Sequence, residues 1–352
     1  MKKILASSLM WLVMQQVGIQ GNPTREVMII EVGWGGGFFA AFLSTLNNAR
    51  WCVKKNIIPV MAWGRNSMFY QEGGYNGSTE PWEYYFEPIS EIAVTDAQNI
   101  PGVRRWGGYN NPDNEGPGST WCHSSDYWIH LDQSHRREFK SFITNYVRIK
   151  ECILVKVENF YKKYMQNKNI IGIHLRGTDK KIEAIPVSIE SICQAANDFA
   201  SKLPNCQFFI ATDEQSLLDK ATELLNGPVI SYDSYRSING SPVHFSSGEN
   251  YSKGKIGEEC LIEAILLSRC SKFVHTRSNM SSAVLILNPE LENRVLTDEI
   301  NCPLPQKPKI LQRTPPQSHV ISLAQPRQTN WLQNVTIKNK AARKKKMGFF
   351  PF

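Results

Sequence analysis

The 352-residue chain has no C-x-x-C pair and no histidine spaced from a cysteine as in a zinc site, although it carries eight cysteines, at 52, 122, 152, 193, 206, 260, 270 and 302. That excludes the usual structural zinc and thioredoxin-like redox patterns. An even count leaves disulfides open, but surroundings such as WCV, ECILV and EECLIEA suit buried free thiols. No D-x-D occurs to hold a divalent metal, and no strict G-x-G-x-x-G is present. Long apolar runs are missing too. Ile4 to Ile19 is interrupted by Ser7, Ser8, Gln15 and Gln16, too short and polar to span a bilayer. It reads as a weak secretory signal ending near Gly21 or as a first amphipathic helix, and its weakness tips the balance toward a cytoplasmic or membrane-peripheral location. Acidic residues vanish after Cys302. The run Arg343, Lys344, Lys345 and Lys346 there reads first as part of a solvated, disordered basic tail, and second as a contact for an anionic membrane surface; no nucleic-acid partner is expected.

What is present is globular. Hydrophobic residues make up 41% and aromatics 11% of the chain, enough for two domains of ordinary size. Val27 to Val32 is a β-branched run followed by Gly33-Trp34-Gly35-Gly36-Gly37. Phe38 to Lys55 has helical spacing, and Ile57 to Ala62 reads as the next strand. Glycines at such a corner, Gly35 and Gly36 among them, let the backbone approach a ligand and aim helix-start amides at an anion; a tight turn against a packed helix is the plainer alternative. Trp63 to Trp128 is rich in Gly, Asn, Pro and rings, including Trp82, Tyr84, Tyr85, Phe86, Trp106, Tyr109, Trp121, Tyr127 and Trp128. It reads as loops whose aromatic faces either stack on sugars or pin the loops to the core. Ser134 to Gln166, apolar at three- and four-residue steps, reads as one long helix.

The most informative stretch follows it, IIGIHLRGTDKKIEAI from Ile170 to Ile185. An aliphatic strand ends in His174 and Arg176, and a charged turn with Thr178, Asp179, Lys180, Lys181 and Glu183 comes next. Strands and helices then alternate to residue 297, which specifies a doubly wound parallel sheet; ligands sit beyond the carboxyl ends of such strands. Three segments should meet there: His174 to Glu183, Thr212 to Gln215, and His275 to Ser282. Arg176 offers a planar fork for phosphate, and Ser278, Asn279, Ser281 and Ser282 offer donors at a helix start. A nucleotide diphosphate suits that set. Structural readings compete: a strand-end histidine for His174, a helix N-cap for Asp213, an ion pair with Asp179 or Glu263 for Arg176.

IGIHLRGTDKKIEA resembles the H-x-R-R-x-D-K motif of the α1,6-fucosyltransferases and their bacterial nodulation relatives. FFIATDEQSLLDKA is similar to that family's second motif, and LLSRCSKFVHTRSNMSS within Gly257 to Ser282 to its third. The resemblance covers about Ile170 to Pro289, in order and spacing. It implies a GT-B-like α/β fold, two Rossmann-type domains facing a cleft: 1–133 an acceptor-side domain with aromatic loops, 134–166 a long connecting helix, 167–310 the nucleotide-sugar domain, and 311–352 the basic tail. It further implies metal-independent, inverting transfer of fucose from GDP-fucose, a donor substrate rather than a cofactor, to a glycan or glycoconjugate hydroxyl. By motif position, Arg176 would grip the β-phosphate, and the His174 backbone with the Glu263 carboxylate would hold guanine. Asp179 and Lys180 would order the loop, Asp213 would brace the site, Ser278 and Asn279 would line the phosphates, and Glu183 would be the base. Three positions depart from the pattern: Gly177 replaces the second arginine, Glu183 lies three rather than four residues after Lys180, and Glu263 replaces an aspartate. A missing arginine removes one contact and should loosen the loop. The same scaffold therefore also admits another sugar nucleotide, or a binding protein without turnover.

Overall fold

The computed structural model describes residues 25–32, 36–108, 112–113, 132–177, 187–238, 240, 243 and 252–296. The N-terminal apolar segment, the tail, Gly35, Asp179, Lys180, Glu183 and the rings of Tyr109, Trp121, Tyr127 and Trp128 lie outside the described residues.

Among the described residues the chain is α/β with two parallel sheets. In the first, β1 (Val27–Glu31) lies between β2 (Ile58–Ala62) and β3 (Arg104–Trp106), and α1 (Phe38–Lys54) connects β1 to β2. Met28, Ile29 and Ile30 are buried on both faces, as a central parallel strand requires. The third strand, after the short helix α2 (Val94–Gln98), falls in the segment read as loop. Its sequence, Arg-Arg-Trp, carries no apolar alternation to reveal it.

The single helix expected over 134–166 is two, α3 (Gln133–Tyr146) and α4 (Glu151–Tyr164). Val147 turns extended, Ile149 bridges Phe86, Glu87 donates to the Arg148 carbonyl at 2.8 Å, and Lys150 donates to the Tyr85 carbonyl at 2.9 Å. Helical periodicity runs through the break, but the backbone of 147–150 is satisfied by the 85–87 segment instead.

The second sheet has the order β6-β5-β4-β7-β8, all parallel: β4 (Asn169–Leu175), β5 (Cys206–Thr212), β6 (Val229–Ile230), β7 (Lys272–Thr276) and β8 (Asn293–Leu296). Helices α5 (Ile189–Ala200) and α6 (Gln215–Leu224) cover one face, with Ile171, Ile173 and Leu175 in that core. Helices α7 (Lys253–Ser268) and α8 (Asn279–Leu287) cover the other. Gly172 lets α7 close on β4, since a Cβ there would lie 2.9 Å from the Cys270 sulfur and 3.0 Å from Leu267 Cδ2.

Besides a cluster proper to each half, the halves share a core. One apolar cluster runs from Met28, Phe42 and Trp82 through Phe139 to Ile170, Leu266 and Ile286, with α8 packed on α1 and α3. Much of it is aromatic: Trp82, Tyr84, Tyr85 and Phe86 are 0% exposed, which removes them as open sugar platforms. Phe38 meets Phe39, Trp63, Phe69 and Tyr85 edge-on with centroids 4.9–5.7 Å apart. Among the described residues no helix is long and apolar enough to cross a membrane.

Candidate functional site

Strand register brings the three motif segments together. Leu175 pairs with Thr212 of β5, and His174 with His275 of β7. Arg176 follows one residue after Leu175, and Asp213 one after Thr212. Arg277 stands two residues beyond His275, at the end of the strand that neighbours β4 about 4.8 Å away.

 
Both arginines thus lie two residues past the paired His174 and His275, so they emerge side by side at the mouth of the sheet.

The expected residues that are among those described each have a definite place. His174 is 6% exposed, and its Nδ1 meets Ser281 Oγ at 3.0 Å and Ser278 Oγ at 3.2 Å. Ser278 caps α8 by accepting from the Ser281 amide at 3.0 Å, and Ser281 Oγ donates to the Thr276 carbonyl at 3.0 Å. Ser282 Oγ donates to the Ser278 carbonyl, also at 3.0 Å. These hydroxyls are therefore spent inside the protein, fixing the strand end to the helix start. What remains for an anion is the backbone at the start of α8, where the half-buried Asn279 is the first helical residue. Gly36 sits just ahead of α1, whose N-cap position is Gly37, with no side-chain cap.

Arg176 is half-buried at the end of β4. Asp213 braces the turn after it, its Oδ1 accepting from the Gly177 amide at 3.0 Å. The helix N-cap position falls one residue later, on Glu214, without a side-chain cap bond. Gly177 does not loosen this turn. It is buried, and a Cβ there would come 2.2 Å from Glu214 Oε2 and 2.6 Å from Leu217 Cδ1. The glycine lets the β5–α6 corner approach closely, and a second arginine at this position would displace the ends of the Glu214 and Leu217 side chains.

Glu263 lies on α7 at 6% exposure, covered by the loop after β6. Its Oε1 accepts from Ser234 Oγ at 2.6 Å and lies 3.8 Å from Arg236 Nη2. The same arginine donates to the Tyr232 carbonyl at 2.7 Å and the Ser234 carbonyl at 3.2 Å. Burial pushes the Glu263 carboxyl up to about 8; Ser234 and Arg236 oppose the shift, while Glu259 and Asp213 add to it. The neighbouring Cys260 thiol is raised mainly by burial and further by Glu263, against the pull of Arg176, which places the arginine, Asp213 and this part of α7 within electrostatic reach of one another.

Sequence reasoning missed Ser234, Arg236 and Arg277. The first two sit in a polar loop with no periodicity, and only the fold sets them against Glu263. Arg277 could have been found by aligning strand ends, since it stands in VHTRS as Arg176 stands in IHLRG. Among the described residues no group of three or more His, Cys, Asp or Glu side chains is placed to hold a metal ion.

No family model matches the chain, and no curated protein does. Solved structures are similar to it. NodZ alpha-1,6-fucosyltransferase soaked with GDP-fucose has 16% identity, covering 76% of this chain and 94% of that one, with a TM-score of 0.48. A fucosyltransferase NodZ structure from Bradyrhizobium has 15% identity over 76% and 94% of the two chains, TM-score 0.45. A variant of Arabidopsis thaliana FUT1 in complex with GDP has 13% identity over 84% and 75%, TM-score 0.46. Identities this low concern the path of the chain alone.

Proposed function

We propose that the chain is a glycosyltransferase that binds the diphosphate of GDP-fucose at the carboxyl ends of β4, β5 and β7 and passes fucose to a hydroxyl of a glycan or glycoconjugate. The observation that carries this reading is the position of Arg176: half-buried at a strand end, its turn braced by Asp213, beside the start of α8 that Ser278 ties to His174. An arginine and a helix start converging from neighbouring strands suit a diphosphate, and Arg277 adds a second guanidinium. In this reading Glu263 exchanges the Ser234 hydroxyl for the guanine N1–H and 2-amino donors, a pattern adenine does not offer. Positive side chains and amides stabilise the leaving diphosphate without a metal, and Glu183 takes the proton of the attacking hydroxyl while Lys180 and Asp179 order its loop.

Calorimetry in metal-chelating buffer tests it. GDP should bind, and Arg176→Ala should weaken binding by about tenfold or more, the loss of a charge-assisted bond worth ~1.5–3 kcal/mol. A donor screen with GDP-fucose, GDP-mannose and UDP-sugars should release product from GDP-fucose. Failure to bind any guanosine nucleotide would sink the proposal. Binding with no turnover of any donor would leave a nucleotide-binding protein and remove the transfer step.

A further inference from the structure

A cavity of about 530 Å³ lies away from Arg176, between α4, the end of β6 and the first half of α7. Its volume falls in the ~300–1,000 Å³ span of small-molecule sites. One wall is aromatic. Phe160 is flanked by Tyr164 at 4.8 Å and Tyr232 at 5.4 Å between centroids. The rest is polar, and most of its charge is already compensated. Lys156 pairs with the buried Glu258, whose other oxygen accepts from Asn76 Nδ2 at 2.9 Å. Glu259 accepts from the Tyr235 amide at 2.9 Å and lies 3.4 Å from the Lys255 ammonium. Asp233, which is exposed, leaves three carboxylates against two ammonium groups.

That lining sorts ligands by charge. A phosphate or carboxylate would meet the uncompensated Asp233 carboxylate while both lysines of the lining are engaged by Glu258 and Glu259, and a cation would find only that one exposed carboxylate to pair with. A neutral polyhydroxylated ring meets neither obstacle: its C–H face can lie on the phenol rings while its hydroxyls exchange bonds with Asp233, Ser231 and the lysines. The Tyr232 hydroxyl remains a donor over the working pH range, since burial, with Glu258 and Glu259 beside it, pushes its ionisation up to about 12.

We propose that this cavity is a carbohydrate subsite that takes one neutral pyranose of the acceptor. It rests on the transfer reading for the word acceptor, and on the cavity alone for the word carbohydrate. The cavity adjoins the Glu263 end of the site, so the pyranose it takes is one remote from the reacting hydroxyl. The loop from Tyr232 to Arg236 walls the cavity at Tyr232 and Asp233, and at the next residue it holds Glu263 through Ser234. Glu259 belongs to both, lining the cavity and adding to the charge around Glu263.

Saturation-transfer NMR and calorimetry with lactose, cellobiose, maltose and methyl mannoside test it, with glucose 6-phosphate as the charged control. At least one neutral sugar should bind in the millimolar range and the phosphate more weakly. Tyr232→Ala should weaken that binding by about tenfold and Asp233→Asn by about threefold, as lost stacking and one lost hydrogen bond imply. Asp233 is exposed, so its variant should keep the wild-type melting temperature even where Tyr232→Ala does not. Absence of binding by every neutral sugar, or binding unchanged in Asp233→Asn, overturns the subsite. Displacement of the sugar by GDP also overturns it, because the cavity then belongs to the nucleotide. GDP is titrated separately into the wild-type chain: if it fails to bind while the Asp233-dependent sugar signal persists, the carbohydrate site stands and the transfer reading falls.

Discussion

Glu263 offers the most demanding test of the site, because its protonation and its proposed role oppose each other. The carboxyl titrates near 8 where an ordinary glutamate titrates near 4.5, so at neutral pH it is mostly neutral. Guanine presents two donors to it, N1–H and the 2-amino group, and only the carboxylate accepts both. The apparent affinity then scales with the ionised fraction, so GDP binding should strengthen by about tenfold or more between pH 6 and pH 8. ADP carries the same diphosphate and serves as the control, because phosphate ionisation near pH 6 affects both ligands alike. Calorimetry at pH 6, 7, 8 and 9 should therefore show the ratio of GDP to ADP affinity rising with pH and levelling off above about 8. Glu263→Gln should flatten the profile.

Stability supplies a second arm with the opposite sign. A carboxyl whose folded pKa is raised contributes most below its unfolded value, and that contribution is lost as pH climbs from about 4.5 through about 8. Glu263→Gln should accordingly stabilise the chain at pH 9 by a few kcal/mol in urea unfolding and leave it nearly unchanged at pH 4. A GDP to ADP ratio that stays constant from pH 6 to 9 in the wild-type chain would refute the reasoning. Guanine would then be held by groups other than Glu263.

Three further outcomes follow from the geometry. Gly177→Ala forces Glu214 and Leu217 apart and should cost about 1–3 kcal/mol in urea unfolding, an unchanged midpoint meaning that the corner yields freely. Ser278→Ala removes the α8 cap and one of the two hydroxyls on His174, for a loss of about 1–2 kcal/mol that Ser278→Thr should partly restore. Arg277→Leu should weaken GDP and inorganic pyrophosphate by a similar factor, about three- to tenfold, whereas a loss confined to GDP would place the arginine on the nucleoside instead.

The larger sheet was legible because its strands are short aliphatic runs separated by helices of standard length. Ile171, Ile173 and Leu175 point to one core while His174 faces α8 on the other side, and the run IIGIHL carries that plan in six letters. The smaller sheet was legible only in part. Its third strand is Arg-Arg-Trp, paired by position beside β1 rather than by pattern. The break between α3 and α4 was illegible for a related reason: periodicity reports which face is apolar, and says nothing of a backbone that finds its partners in residues 85–87.

The same division holds at the site. Sequence alone determined that Arg176 and Asp213 end strands and that Ser278 begins a helix, since those follow from local runs and capping chemistry. It also carried the likeness of three motifs. Only the tertiary structure decided that Gly177 packs against the side-chain ends of Glu214 and Leu217, that the aromatic segment around Trp82 is core, and that Glu263 lies under Ser234 and Arg236. Each of those depends on which groups share a few ångströms after the chain has crossed over itself. Local propensity cannot encode it, because the partners lie 29 residues apart for Ser234 and Glu263 and 36 apart for Gly177 and Asp213.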